Sequence, residues 1–225
     1  WASKKTQSFG FSGKKDPGDL GKIKKDLSLL GLKSSSIFSR KTESKILDYK
    51  DKTHKVIGTS HSIQASFKAY RYFENLGIIN GNKTIQETYI PKWIKDSKGK
   101  IKSEFLAALM GSDGNKVSKA KNASGDFNAI RFSFNKLETL EKEAFVYANE
   151  IKSLFADVGI KVSNISKRPG NIIKSGERTI KIVITLEKNV ENTIKFFEKI
   201  GYRYCSYKEI EGIKWANYLK ARLFL

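Results

Sequence analysis

Asp113 is the residue of this sequence whose type and position most clearly suggest metal-binding chemistry. It ends an apolar stretch, residues 102–112, whose composition predicts a helix, and Gly114 follows it and lets the chain turn. A carboxylate at the C-terminus of a helix faces the negative end of the helix dipole, so a positive charge should compensate it. A divalent cation would do so, and Mg²⁺ prefers such oxygen ligands.

The composition excludes metal chemistry based on softer ligands. The chain has one cysteine, Cys205, and two histidines, His54 and His61, which are too few for a zinc cage. The single cysteine also excludes an intramolecular disulfide framework and fits a reducing compartment, so we expect a cytoplasmic or organellar protein that is not secreted. No apolar run is long enough to span a bilayer, and no membrane partner is expected.

The charge of the chain indicates a polyanionic partner. Lys and Arg number 43 against 23 Asp and Glu in 225 residues, which gives a formal net charge of +20. Nucleic acid is the first candidate, because each neutralised phosphate releases a condensed counterion. The alternative is a lysine-rich soluble surface without such a partner.

The elements that must position Asp113 are readable in the second half of the chain. After the helix at 102–112, alternating patterns predict strands at 117–121 and 128–134 with a turn at 122–126. A helix follows at 137–158, then a strand pair at 160–166 and Arg178–Leu186 around a turn at 168–171. Asn189 is a candidate N-cap for a helix that ends at Ile200, and a last helix covers 208–223. The predicted order is αββαββα.

The first half resembles the second. Residues 72–77 and 196–201 both read aromatic, Phe, Glu, polar, aliphatic, Gly, and residues 30–33 match 158–161. We interpret this as a tandem duplication, with repeats at 1–83 and 103–225 and a linker at 84–102. The first repeat would contain ββαββα, with helices near 20–30 and 63–76, and its leading helix would precede Trp1. The predicted fold is therefore α+β with two pseudo-symmetric repeats.

Strand periodicity separates an apolar from a polar face. Ile180, Ile182, Ile184 and Leu186 alternate with polar residues, as do Ile130, Phe132 and Phe134. A sheet with one face of basic and hydroxyl side chains can lie on a nucleic-acid groove, whereas the simpler interpretation is a solvated outer face.

The stretch Phe105-Leu106-Ala107-Ala108-Leu109-Met110-Gly111-Ser112-Asp113-Gly114 has small residues four positions apart, at Ala107 and Gly111, which predicts a close helix–helix contact. It resembles the LAGLIDADG signature of homing endonucleases. The segment with Gly81-Asn82-Lys83 and the αββαββα order are similar to archaeal and intein-associated members, so the resemblance covers nearly the whole chain.

The resemblance implies two motif helices packed together, two sheets forming a saddle in the DNA major groove, and Mg²⁺ or another divalent cation at the centre. It implies a metal-binding role for Asp113 and Gly114, and catalytic roles for Asp113 and for Lys83 and Lys208 near the scissile phosphates. The partner acid of the first repeat would lie before Trp1.

The leading hypothesis is a monomeric, site-specific double-stranded DNA endonuclease. Candidate DNA contacts are basic residues of the predicted strands and their flanks: Arg40, Lys41, Lys116, Arg131, Lys174 and Lys181. The alternative is a maturase-like member of the same fold that binds DNA or intron RNA without cleavage. The terminal residues lack splicing groups, so an intein splicing domain is not expected.

Overall fold

The computed structural model describes residues 2–3, 8–13, 17–48, 50, 52–120 and 127–223. The protein is of the mixed α+β class, as predicted. It divides into two compact units, the first made of residues 1–91, 136–141 and 169–180, and the second of 92–135, 142–168 and 181–225. None of the described helices is both long and apolar enough to cross a membrane.

The first unit is built on an antiparallel sheet with two helices. Its elements in chain order are β1 (Ala2–Ser3), β2 (Ser8–Gly13), α1 (Pro17–Leu29), β3 (Phe38–Leu47), β4 (Thr53–Ala65), α2 (Phe67–Asn75) and a 3₁₀ turn (Lys83–Ile85). The strand order is β1-β2-β4-β3, with Phe9 opposite Ala65 and Phe38 opposite Ser62. The predicted helix at 63–76 begins later, because residues up to Ala65 pair with β2.

The core of the first unit lies at one end of the long β3–β4 pair. Side chains from both helices, from the loop after α1 and from the end of β4 are buried together there: Leu20, Leu27, Leu32, Ile63, Ala65, Ala69 and Tyr70. Ser66 caps α2, since its side chain accepts a hydrogen bond from the backbone N–H of Ala69 at 3.3 Å. The other end of the β3–β4 pair extends beyond this core, and most of its side chains are exposed on both faces.

The second unit contains most of the helices. Its elements are α3 (Lys92–Lys95), α4 (Gly99–Asp113), β5 (Arg131–Leu137), α5 (Glu141–Asp157), β6 (Val162–Ile172), β7 (Arg178–Leu186), α6 (Val190–Lys199) and α7 (Ser206–Leu223). The strands are ordered β6-β7-β5. The parts of these strands that fall within 136–141 and 169–180 group with the first unit. Residues 84–102, predicted as a linker, include α3 and the start of α4.

Alternation in β7 agrees with the predicted apolar face. Ile182, Ile184 and Leu186 are at most 3% exposed. The opposite face of β7 is less polar than predicted. Val183 and Thr179 on that face are buried, whereas Lys181 is exposed. Asn189 caps α6 as predicted, since its side chain accepts a hydrogen bond of 2.7 Å from the backbone N–H of Asn192.

The predicted turn at 168–171 is wrong, because these residues lie inside β6. The chain reverses at 173–177, where the N–H of Ile173 donates to the carbonyl of Glu177 at 3.0 Å. Gly170 serves close packing instead of a turn: a Cβ atom there would lie 2.3 Å from Thr179 Oγ1.

The strand predicted at 117–121 is reduced, within the described residues, to an isolated bridge between Lys119 and Phe127, and its turn at 122–126 lies outside them.

Candidate functional site

Asp113 is the last residue of α4, and its side chain is exposed. The helix is anchored by one buried stripe, Leu106, Ala107, Met110 and Gly111. Gly114 ends it, with its N–H donating to the Met110 carbonyl at 3.1 Å. A Cβ atom on Gly114 would lie only 2.6 Å from that same carbonyl oxygen, so close packing requires glycine at this position. The carboxylate is therefore presented to solvent from a fixed helix end.

The charge that compensates this helix end is supplied by Lys208 of α7. Its side chain is buried, with the residue 5% exposed, and Nζ donates to the carbonyl oxygens of Gly111 and Gly114 at 2.7 Å and of Ser112 at 3.1 Å. A fourth carbonyl, that of Met110, lies at 3.3 Å. Burial lowers the pKa of Lys208, while the negative charge of Asp113 acts in the opposite direction. An ammonium thus neutralises the negative end of the α4 dipole.

Ala107 and Gly111 make room for a loop, whereas the sequence suggested a second helix. The backbone N–H of Arg203, between α6 and α7, donates to the Ala107 carbonyl at 2.9 Å. A Cβ atom on Gly111 would lie 1.8 Å from the Arg203 carbonyl oxygen. The small-residue spacing is therefore explained by the backbone at Arg203.

Tyr147 of α5 is a neighbour of Asp113 that sequence analysis missed. It is 8% exposed, and its ring meets the Phe134 ring edge-on with centroids 5.2 Å apart. Burial, together with the smaller effects of the negative charges of Glu150 and Asp113, raises the pKa of Tyr147 to about 12. The aromatic alternation of β5 predicts where Phe134 lies but gives no sign of its partner in α5.

Asn115 ties the end of α4 to β5. Its Oδ1 atom accepts a hydrogen bond of 2.6 Å from the backbone N–H of Arg131, and its Nδ2 atom donates to the Ala129 carbonyl at 3.1 Å. The Tyr202 hydroxyl donates to the Asn115 carbonyl at 2.8 Å. These contacts fix the chain that leaves the motif helix.

Lys83 belongs to the other unit, where it begins the 3₁₀ turn and is exposed. Asn82 caps this turn by accepting a hydrogen bond of 3.0 Å from the Thr84 N–H, and Gly81 has a φ of +91°, which favours glycine. The Gly-Asn-Lys sequence thus forms a capped turn that presents a lysine.

A buried lysine lies behind this turn. Lys136, at the end of β5, is 2% exposed, and its Nζ atom donates to the carbonyl oxygens of Lys83 and Gln86 and to Thr88 Oγ1. Burial, and to a smaller extent the nearby charge of Lys83, lower the pKa of Lys136 to about 8. Sequence analysis missed this residue, although the inward alternation of β5 continues to position 136.

The predicted DNA contacts of the first unit are exposed. Arg40 and Lys41 are consecutive in β3 and therefore point to opposite faces, opposite Ser60 and Thr59 of β4. Lys174 is exposed at the reversal between β6 and β7. In the second unit, Lys116, Arg131 and Lys181 are also exposed.

The end of α4 offers one oxygen ligand of the kind that Mg²⁺ takes together with water and phosphate. Asp113 offers an exposed carboxylate, and the described residues contain no group of three or more His, Cys, Asp and Glu arranged for a metal. The Gly114 carbonyl, predicted as a second ligand, accepts a hydrogen bond from the Lys208 ammonium.

No known family profile matches the chain. It is 32% identical over 196 residues to the DNA-directed RNA polymerase subunit Rpo1N of Methanocaldococcus jannaschii, which is 86% of this chain and 14% of that protein. It is 32% identical over 215 residues to the tRNA-splicing ligase RtcB of the same organism, covering 94% and 21%. With the replication factor C small subunit of that organism it shares 33% identity over 193 residues, covering 83% and 9%. The chain therefore spans at most about a fifth of these relatives.

Proposed function

We propose that this protein is a site-specific double-stranded DNA endonuclease of the LAGLIDADG homing type, which hydrolyses phosphodiester bonds with Mg²⁺ or another divalent cation. The observation that carries the proposal is the placement of Asp113. It is an exposed carboxylate on the last residue of a helix whose terminal carbonyls are neutralised by Lys208. Such a carboxylate projects into solvent from a fixed backbone, where it can accept a ligand.

DNA binding is supported by the exposed end of the β3–β4 pair, which we call the ribbon (residues 38–47 and 53–60). A two-stranded ribbon fits the major groove of B-DNA. Arg40, Lys41, Ser60 and Thr59 supply donors and acceptors on its two faces. The net charge of +20 supports attraction to the phosphate backbone.

The proposed chemistry divides among three residues. Asp113 binds the divalent cation, which when bound activates water and offsets charge on the phosphate. Lys83 has an exposed ammonium that can approach a phosphate oxygen and stabilise negative charge developing there. Lys208 was expected to act in the same way, but it is buried and its ammonium donates to backbone carbonyls, so its proposed part is to hold the helix end beside Asp113.

The repeat organisation remains part of the proposal. The order β2-α1-β3-β4-α2 in one stretch matches β5-α5-β6-β7-α6 in the next. Matching glycines with positive φ follow the helices: Gly31 and Gly159 after the first helix of each series, Gly77 and Gly201 after the second. These correspondences support two pseudo-symmetric repeats. The saddle that two such sheets would form stays a prediction.

The similarities to other proteins support the proposal that this chain corresponds to a segment that occurs within unrelated host proteins. RNA polymerase, RNA ligase and replication factor C are names for different activities, yet each protein contains a stretch similar to most of this chain. The similar stretch is a small part of each protein, and most of each lies outside it. An endonuclease that cuts a long DNA site is a function that such a segment can carry by itself.

The alternative function is DNA or intron-RNA binding without cleavage, since the exposed basic ribbon serves binding in either case. The experiment begins with selection of bound duplexes from a random double-stranded DNA library. The selected duplexes are then incubated with the protein and Mg²⁺ or EDTA. Cleavage that requires Mg²⁺ and is lost in Asp113→Asn supports the enzyme.

Asp96→Asn is the matched control, because Asp96 is an exposed carboxylate just after α3. It should cleave like the wild type. Retention of DNA binding without cleavage in the wild type would favour the binding function, and wild-type cleavage by Asp113→Asn would reject the role of Asp113.

A further inference from the structure

The ammonium of Lys136 joins segments that lie far apart in the chain. Its acceptors are the backbone carbonyls of Lys83 and Gln86, the latter at 2.6 Å, and the hydroxyl of Thr88, which are 48 to 53 residues away in sequence. An ammonium has three protons, and here each finds an acceptor. The group is 2% exposed. Lys136 therefore acts as an internal tie between the end of β5 and the segment 83–88.

Because the ammonium of Lys136 is buried, the segment 83–88 is strongly held in its observed position. A buried ammonium that loses its acceptors retains a large desolvation cost, so movement of the segment 83–88 away from Lys136 is strongly unfavourable. Lys83 takes part through its carbonyl only, and its side chain stays exposed. The tie thus fixes the backbone from which the Lys83 ammonium projects.

We propose that Lys136 is a positioning residue for Lys83, holding the capped turn at Asn82–Lys83 so that the exposed lysine approaches a phosphate from a fixed backbone. The proposal rests on the proposed function of Lys83. Lys136 itself has no catalytic contact with DNA, because it is buried and its three protons are already donated.

The first measurement is hydrogen exchange of residues 80–88 in the protein without DNA. Lys136→Met keeps the length of the side chain and removes all three donors. We expect exchange in this segment to rise by at least about tenfold, which corresponds to a loss of about 1.4 kcal/mol of local stability. Lys142→Met, a change of an exposed lysine in α5, should leave it unchanged. Unchanged exchange at 80–88 in Lys136→Met would overturn the tie.

The second measurement is a double-mutant cycle on cleavage with Lys136→Met, Lys83→Ala and the double variant. We expect Lys136→Met to lower the cleavage rate of bound DNA about tenfold while the dissociation constant changes less than about twofold, and to have no additional effect in the Lys83→Ala background. Lys136→Arg, which keeps the charge and donors, should recover part of the rate. Equal losses in both backgrounds would mean a general structural role and would reject positioning.

A milder variant keeps the test decisive if Lys136→Met does not fold. Thr88→Val removes one of the three acceptors and should give smaller changes in the same two measurements. If the wild type cleaves none of the selected duplexes while exchange behaves as expected, the proposed nuclease function fails, and with it the positioning role, but the tie itself stands.

Discussion

The Nζ atom of Lys208 lies 2.7 Å from the carbonyl oxygen of Gly114, the residue that follows Asp113. Together with its bonds to Gly111 and Ser112, this contact places a buried positive charge at the C-terminal end of α4. A helix that ends in an acid would otherwise be destabilised by its own dipole. The arrangement offsets the unfavourable interaction between the Asp113 carboxylate and the negative end of the α4 dipole.

Replacing Lys208 by Met should lower the free energy of unfolding by about 2–4 kcal/mol, because several buried carbonyls lose a charged donor. Lys214→Met is the control, since that side chain is 68% exposed and its ion pair with Glu211 lies at the surface. It should change stability by less than about 0.5 kcal/mol. Urea denaturation followed by circular dichroism measures both. Equal stabilities of the two variants would show that Lys208 does not stabilise the helix end.

Gly111→Ala should destabilise the protein strongly. The added methyl group would lie 1.8 Å from the Arg203 carbonyl oxygen, a backbone atom that cannot move by side-chain rotation. We expect a loss of about 1–3 kcal/mol from overpacking, despite the better helix propensity of alanine. Gly99→Ala, where an added methyl meets open space in the same helix, should be neutral or stabilising. Thermal denaturation of the two variants compares them directly, and a neutral Gly111→Ala would mean that the loop at Arg203 is not packed on α4.

Stability should depend on pH through Lys136. Its pKa is lowered from 10.5 to about 8 by burial, so between these values the unfolded chain binds more protons than the folded chain. The free energy of unfolding therefore rises with pH across this window, by about 1–3 kcal/mol from this group. Lys136→Met should lack this rise. Denaturant titrations at pH 7.5 and 10 test the difference, and parallel pH profiles of the two proteins would contradict it.

Arg40→Ala should weaken DNA binding with little effect on stability, because Arg40 lies in the exposed ribbon outside the core. If it contacts a phosphate, affinity falls similarly for all sequences and the salt slope of log K decreases by about 1. If it contacts a base, specificity at one position is lost instead. Lys152→Ala, on an exposed position of α5, is the matched control. Fluorescence anisotropy over a salt series distinguishes these outcomes, and unchanged binding would remove Arg40 from the interface.

Local patterns predicted the elements better than they predicted the site. The apolar stripe of α4, the alternation in β7 and the cap at Asn189 depend on neighbours in sequence, and each is present in the structure. The acceptors of Lys208 lie 94 to 98 residues away, so no local pattern reveals them. Burial of Lys136 was foreseeable from the period of β5, but its acceptors were not. The prediction of a turn at 168–171 was wrong because a Pro-Gly pair does not always mark a turn. Here the glycine allows the strand to pack closely against Thr179.

The ribbon has a consequence for how this protein can change over time. Ile57 is 70% exposed and Val56 40%, and the strand positions around them are solvent-facing on both sides. Substitutions there remove no buried contact, so they leave folding nearly intact while altering what the ribbon can touch. Preference for one sequence over another can therefore drift, or be redesigned, without a compensating change in the hydrophobic interior.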